Sequence, residues 1–129
     1  MVDSQTLRYH RFYSDAQGES HIDEVEVKQI LNEAAPPAPP LLVSVFGPAS
    51  SWGFFSTPEG WFGDWHPAPF KQFMILLSGA VDVMVSDGSV LNMRLGDIVL
   101  LEDTWGRGHK SRNVNNGVSN YFVTRLPAK

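Results

Sequence analysis

The sequence predicts an all-β fold, one sandwich or barrel of short strands with an N-terminal arm. No long window has helical periodicity. Short β-rich segments recur between turn residues, and Gly79, Gly88, Gly96, Gly108 and Gly117 punctuate them roughly every eight to twelve residues, the spacing of an all-β sandwich or barrel. At 129 residues the chain is one domain, long enough to bury about two-thirds of the surface its unfolded form exposes.

The predicted strands follow from the turns. Between the glycines lie FMILLS, AVDVMVS, SVLNMRL, DIVLLED and HKSRNVN, and VSNYFVTRL at 118–126 closes the chain. Asp87-Gly88 within SDGS predicts a tight hairpin, because both residue types tolerate positive φ. Upstream, LRYHRFY and HIDEVEVKQIL read as strands, the second alternating apolar and charged residues as a half-exposed strand does. AAPPAPP at 34–40 then predicts an extended polyproline II run, since proline fixes φ and lacks a donor. Residues 1–40 are thus an arm that is either a solvated tail with a rigid spacer or a segment completing a sheet or reaching a partner subunit. The barrel is expected over 41–129.

Composition narrows the function. With 43% hydrophobic and 19% charged residues the chain reads as globular, and its apolar runs fall far short of the roughly 20 residues of a membrane span. A charge-studded N-terminus gives no signal-peptide pattern, so a cytoplasmic location is expected. No cysteine is present, which removes disulfide and thiolate chemistry. A net charge of −4 without a basic run points away from nucleic acid and anionic membranes and toward small molecules or other proteins.

Two polar sets stand out. In DWHPAPFKQFMILLSG, equal parity along an extended chain puts Asp64, His66, Phe70, Gln72 and Met74 on one face, and the apolar end of the run marks that face as inward. The second set lies in EDTWGRGHKSRN, where His109 shares parity with Ser111 and Asn113, while Arg107, Lys110 and Arg112 take the opposite, solvated face. Of these, Arg107 on its glycine-flanked turn is best placed to reach an anionic substrate group. Glu102 and Asp103, adjacent carboxylates at a strand end, read as exposed.

These stretches resemble the two motifs of the cupin family. Its first motif has two histidines one residue apart, a glutamate, then six residues and a glycine; here His66, Gln72 and Gly79 match. The second has a glycine, two residues, a histidine, three residues and an asparagine; Gly106, His109 and Asn113 match, and Gly96-Asp97 resembles its opening turn. The chain departs from the pattern at Ala68, where the second histidine would stand, at Gln72 in place of glutamate, and at Thr104 in place of proline. The resemblance covers roughly residues 50–125 and implies a single cupin-type jelly-roll barrel. It further implies a divalent metal, iron, nickel, manganese or zinc, held by His66, Gln72 and His109 at the barrel mouth, with Asp64 as a further donor or outer partner. The alternative is that the two histidines are satisfied polar residues lining a cavity and act, if at all, as acid or base.

SWGFFSTPEGWFGDW at 51–65 leads straight into His66 and carries more aromatic side chains than one strand face can bury. Trp52, Phe54, Trp61 and Trp65, joined by Phe70, Met74 and Trp105, are the expected apolar wall of a ligand site in a mouth loop. The expected function is a non-oxidative lyase, isomerase or cyclase acting on an apolar or aromatic carbonyl compound, with His66, His109 or Asp64 moving the proton. A cupin dioxygenase and a non-catalytic ligand-binding barrel are the alternatives. On this reading His109→Ala removes turnover at little cost in stability. A homodimer is expected, because small cupins often pair.

Overall fold

The computed structural model describes residues 2–128, so Met1 and Lys129, at the ends of the two expected segments, lie outside the described residues. The described residues form eleven strands: β1 (Ser4–Ser14), β2 (Ser20–Asn32), β3 (Leu41–Ser44), β4 (Ser51–Thr57), β5 (Phe62–His66), β6 (Gln72–Ser78), β7 (Val81–Val85), β8 (Val90–Met93), β9 (Ile98–Glu102), β10 (His109–Asn113) and β11 (Ser119–Arg125). A 3-10 turn at Val114–Asn116 separates the last two. The strands make a seven-stranded sheet, β3-β2-β1-β9-β6-β11-β4, and a four-stranded sheet, β5-β10-β7-β8. This is an all-β jelly-roll barrel. Among the described residues no helix is long and apolar enough to cross a membrane.

Alternation builds the core. In β7, Val81, Val83 and Val85 are buried while Asp82 and Met84 face outward. Leu76, Val99, Tyr121 and Val123 from the larger sheet meet them and Met93 in one cluster. Each such side chain, fully buried, contributes about 1.5–3 kcal/mol. The β7–β8 turn differs from the expected one. Gly88 alone takes positive φ, at 94°, while Asp87 stays on the ordinary side and its carboxylate accepts from the Ser89 N–H at 2.8 Å. A side chain that caps its own turn needs no left-handed backbone.

The N-terminal segment completes the sheet, one of the two roles its pattern left open. β1 lies between β2 and β9, pairing antiparallel with the first and parallel with the second, and Phe12 enters the core at 1% exposure. The expected polyproline run at 34–40 is instead an exposed bend. β2 and β3 pair antiparallel, Asn32 opposite Leu41, so the chain must reverse there, and Ala38 N–H donates to the Ala35 carbonyl at 2.9 Å. The aromatic stretch 51–65 is likewise not one mouth loop but β4, a short turn and β5.

Candidate active site at the barrel mouth

β5 and β10 are hydrogen-bonded neighbours in the smaller sheet, and His66 and His109 are register partners across them. Their rings lie 4.8 Å apart, inclined by 59°. Gly108 makes this approach possible: its φ is +71°, and a Cβ at that position would overlap the His66 carbonyl. The Ser20 hydroxyl donates to the Gly108 carbonyl at 2.5 Å, tying the turn to β2. Gln72, the third motif residue, comes from β6 in the facing sheet and is 2% exposed.

Both imidazoles have a fixed tautomer. His66 Nδ1 is 2.6 Å from the Asp64 carbonyl, which can only accept, so Nδ1 carries the hydrogen. His109 Nδ1 lies 2.6 Å from Oδ2 of Asp103 and donates to it. In the neutral ring the lone pair is therefore on Nε2 in both cases. Asp103 is fully buried, its Oδ1 has no hydrogen-bond partner, and its backbone carbonyl accepts from Ala68 N–H at 2.9 Å. That bond seats Ala68, the position of the missing second histidine, in the core.

The histidines open on a cavity of about 350 Å³ between the sheets. Its wall is mostly apolar: Phe12, Met74, Val99 and Leu101 from the larger sheet, Val81, Val83 and Met93 from the smaller, and Phe55 and Trp61 at the side. His66, His109, Gln72, Ser111 and Tyr121 supply its main polar groups. Burial holds the Tyr121 phenol above its ordinary pKa of 10, so it remains a hydrogen-bond donor. Asn113 serves this wall indirectly. Its side-chain amide donates to the Thr57 and Pro58 carbonyls at 3.0 and 2.8 Å, and its backbone N–H to the Trp61 carbonyl at 3.2 Å, fixing the turn that carries Trp61.

Of the eight residues expected to bind substrate, Trp61 and Met74 line the cavity. The others lie elsewhere. Trp52 and Phe54 stand on the outer face of β4, packed on Phe122 with centroids 6.0 and 5.3 Å away. Trp65 lies under the Lys110 ammonium, 5.2 Å from the ring centre, and Phe70 under the Arg125 guanidinium at 4.0 Å. Trp105 is half exposed, its carbonyl accepting from the Ser14 hydroxyl at 2.7 Å. Arg107 pairs with Glu19 at 3.3 Å. Asp64 is exposed and its carboxylate accepts from the Trp65 N–H. Asp103 is the correction in the other direction: read as exposed, it is the buried partner of His109. Val99 and Leu101 face the cavity, and continuing that alternation by two residues would have found it.

The expected metal donors do not make a fitting set. His66 and His109 offer two nitrogens, but the Gln72 carbonyl oxygen already accepts from Arg125 Nε at 3.2 Å, which sets a guanidinium cation beside the third donor. No three His, Asp or Glu side chains converge on a common ion site among the described residues. Two imidazoles and a neutral amide next to a fixed positive charge form a poor cradle for a divalent ion.

The two motif stretches thus meet at one end of a two-sheet barrel, with their histidines in register. The fold is a two-sheet jelly-roll barrel, the architecture that the motif resemblance implied. No family model matches the chain, and no curated protein matches it. Among solved structures, the cupin domain of Cnp3 from Schizosaccharomyces pombe is similar over 98% of this chain and 86% of that one, with a TM-score of 0.47 and 13% identity. A putative ethanolamine utilization protein Q from Salmonella typhimurium aligns over 97% and 99%, with a TM-score of 0.39 and 16% identity. The protein NMB1881 from Neisseria meningitidis aligns over 59% and 72%, at 0.42 and 13%.

Proposed function

We propose that this barrel binds a small apolar or aromatic carbonyl compound and moves a proton on the carbon beside the carbonyl, as an isomerase or lyase does, by acid–base chemistry of its own side chains. One observation carries the reading: His109, its Nδ1–H held by the buried Asp103 carboxylate at 2.6 Å, borders an apolar cavity. A base must gain a proton without losing its position, and a carboxylate on the far nitrogen both orients the ring and stabilises the imidazolium formed.

In the proposed step the substrate's apolar body fills the cavity. His109 Nε2 takes the α-proton, the C–H electron pair becomes the C=C bond of the enolate, and the carbonyl π pair moves onto the oxygen. With the Gln72 oxygen committed to Arg125, its NH₂ is left to donate to that oxygen, and the Tyr121 hydroxyl is a second donor. His66, whose ring stands 4.8 Å from His109, is placed to return the proton at a neighbouring atom. The apolar wall strengthens these polar interactions by thinning out water.

The test is hydrogen–deuterium exchange at the α-carbon of phenylacetone in D₂O, followed by proton NMR, with chelator present. Exchange above the buffer rate is expected, and Asp103→Asn is expected to slow it by about 10²-fold, the low end of what a positioned acid–base group supplies. Binding of the ketone, followed by tryptophan fluorescence, without any exchange would overturn the acid–base reading in favour of a barrel that only holds a ligand. Exchange that vanishes with chelator would overturn its metal independence.

A further inference from the structure

Arg125 does not line the cavity itself, but it is hydrogen-bonded to Gln72, which does, and the proposed reaction gives it no task. Arg125 is the last residue of β11, directly opposite Gln72 on β6 and therefore on the same inward side as Gln72 and Tyr121. Gln72 in turn pairs with Leu101, two residues before Asp103, so the guanidinium belongs to the end of the barrel where the histidines stand.

Its neighbours at that end are neutralised. Arg11 pairs with Asp23 at 2.6 Å and with Glu102 at 3.3 Å, and Lys71 pairs with Glu102 at 3.0 Å. Arg125 makes no salt bridge among the described residues, in a chain whose net charge is −4. It is nonetheless held in place. Phe70 lies 4.0 Å from its central carbon, and Nε is spent on the Gln72 oxygen. The two terminal amino groups remain, and a guanidinium fixed at Nε and on one face is a preformed fork for the two oxygens of a carboxylate.

We infer that the ligand of this site carries a carboxylate, bound by Arg125 at the mouth, with its apolar part in the cavity. Resting on the proposed function, this narrows the substrate class to apolar oxo-acids. The single guanidinium matches one monoanionic group, and the Gln72 amide joins that subsite to the carbonyl-binding groups. The pairing also accounts for the glutamine: a glutamate at position 72 would neutralise Arg125, whereas an amide orients it and leaves its charge for the ligand.

Phenylpyruvate and phenylacetone test this, because they differ by a carboxylate in place of a methyl group. Their affinities are measured by tryptophan fluorescence and their α-exchange by NMR, each corrected for the buffer rate. The wild type is expected to bind the acid about ten- to hundredfold more tightly than the ketone. That ratio should fall toward one in Arg125→Met, fall partway in Arg125→Lys, and shrink as salt is raised in the unmodified protein. The salt series keeps the test open should Arg125→Met fail to fold. Equal affinity for both probes, or a preference that survives Arg125→Met, overturns the carboxylate subsite while leaving acid–base exchange intact. A strong acid preference lost in Arg125→Met, with no exchange of either probe, upholds the subsite and overturns the proposed reaction.

Discussion

Removing the His109 imidazole would leave the fully buried Asp103 carboxylate with neither oxygen partnered on its side chain. Breaking a buried pair from one side costs about 3–5 kcal/mol, so His109→Ala should lower stability by about 3 kcal/mol in urea titrations. Adding Asp103→Asn should recover part of that loss, a coupling a double-mutant cycle reads directly. The sequence-based expectation that His109→Ala would spare stability overlooked this carboxylate. A neighbouring prediction concerns Gly108. Its left-handed φ and the His66 carbonyl behind it make Gly108→Ala destabilising by about 2 kcal/mol or more, with loss of ketone binding as β5 is pushed from β10. The histidines and Gln72 were legible in the sequence because motif spacing and strand parity agree on them. Asp103 and Arg125 were not, since burial and pairing decide their roles and neither shows in the chain.

Two turns on different sheets are joined by one histidine. His21 Nε2 lies 2.8 Å from Asp15, in the β1–β2 turn, and Nδ1 lies 2.9 Å from Asp87, in the β7–β8 turn. Hydrogen bonds first to Asp15 and then to Asp87 raise the His21 pKa above its ordinary 6.5. The Asp15 pKa is lowered, chiefly by His21; the Asp87 pKa, against the upward pull of burial, is lowered by Ser89 and His21. A raised histidine pKa gives stability that is complete below about 6.5 and is lost as pH climbs through the folded value. The carboxylates contribute above their ordinary 3.8 and lose that contribution as pH falls through their folded values. The melting temperature of the wild type should therefore exceed that of His21→Gln between those limits, and the gap should close in mildly alkaline buffer. A gap unchanged at pH 9 would mean that the imidazolium is not what joins the turns. At this scale most strands were readable from alternation between glycines. β4 was not: Trp52 and Phe54 face out while Phe55 and Thr57 face the cavity, so aromatic side chains on both faces erase the period, and only pairing with β11 makes the segment a strand.

Across the whole molecule the N-terminal strands are structural members of the barrel. Phe12, on β1, touches both the core and the site, its ring 5.7 Å from His109. Phe12→Ala should cost about 3–5 kcal/mol, and a chain beginning at residue 33 should fail to give a cooperative melt, as circular dichroism would record. A truncated chain that melted cooperatively and still bound ketone would show the strands to be dispensable. The sequence left this role open because HIDEVEVKQIL alternates equally well on a sheet or in a partner's groove. What places it is the parallel pairing of β1 with β9, from His10 opposite Val99 to Tyr13 opposite Glu102, a contact between distant segments that no local pattern encodes. That pairing also orders events during synthesis. A ribosome delivers β1 first, and its partner β9 only after roughly ninety more residues, several seconds later at ordinary translation rates. For that interval the apolar side of the nascent β1–β2 hairpin is uncovered, so the open time of this protein is set by translation and is the window in which a chaperone that grips short apolar strands would act.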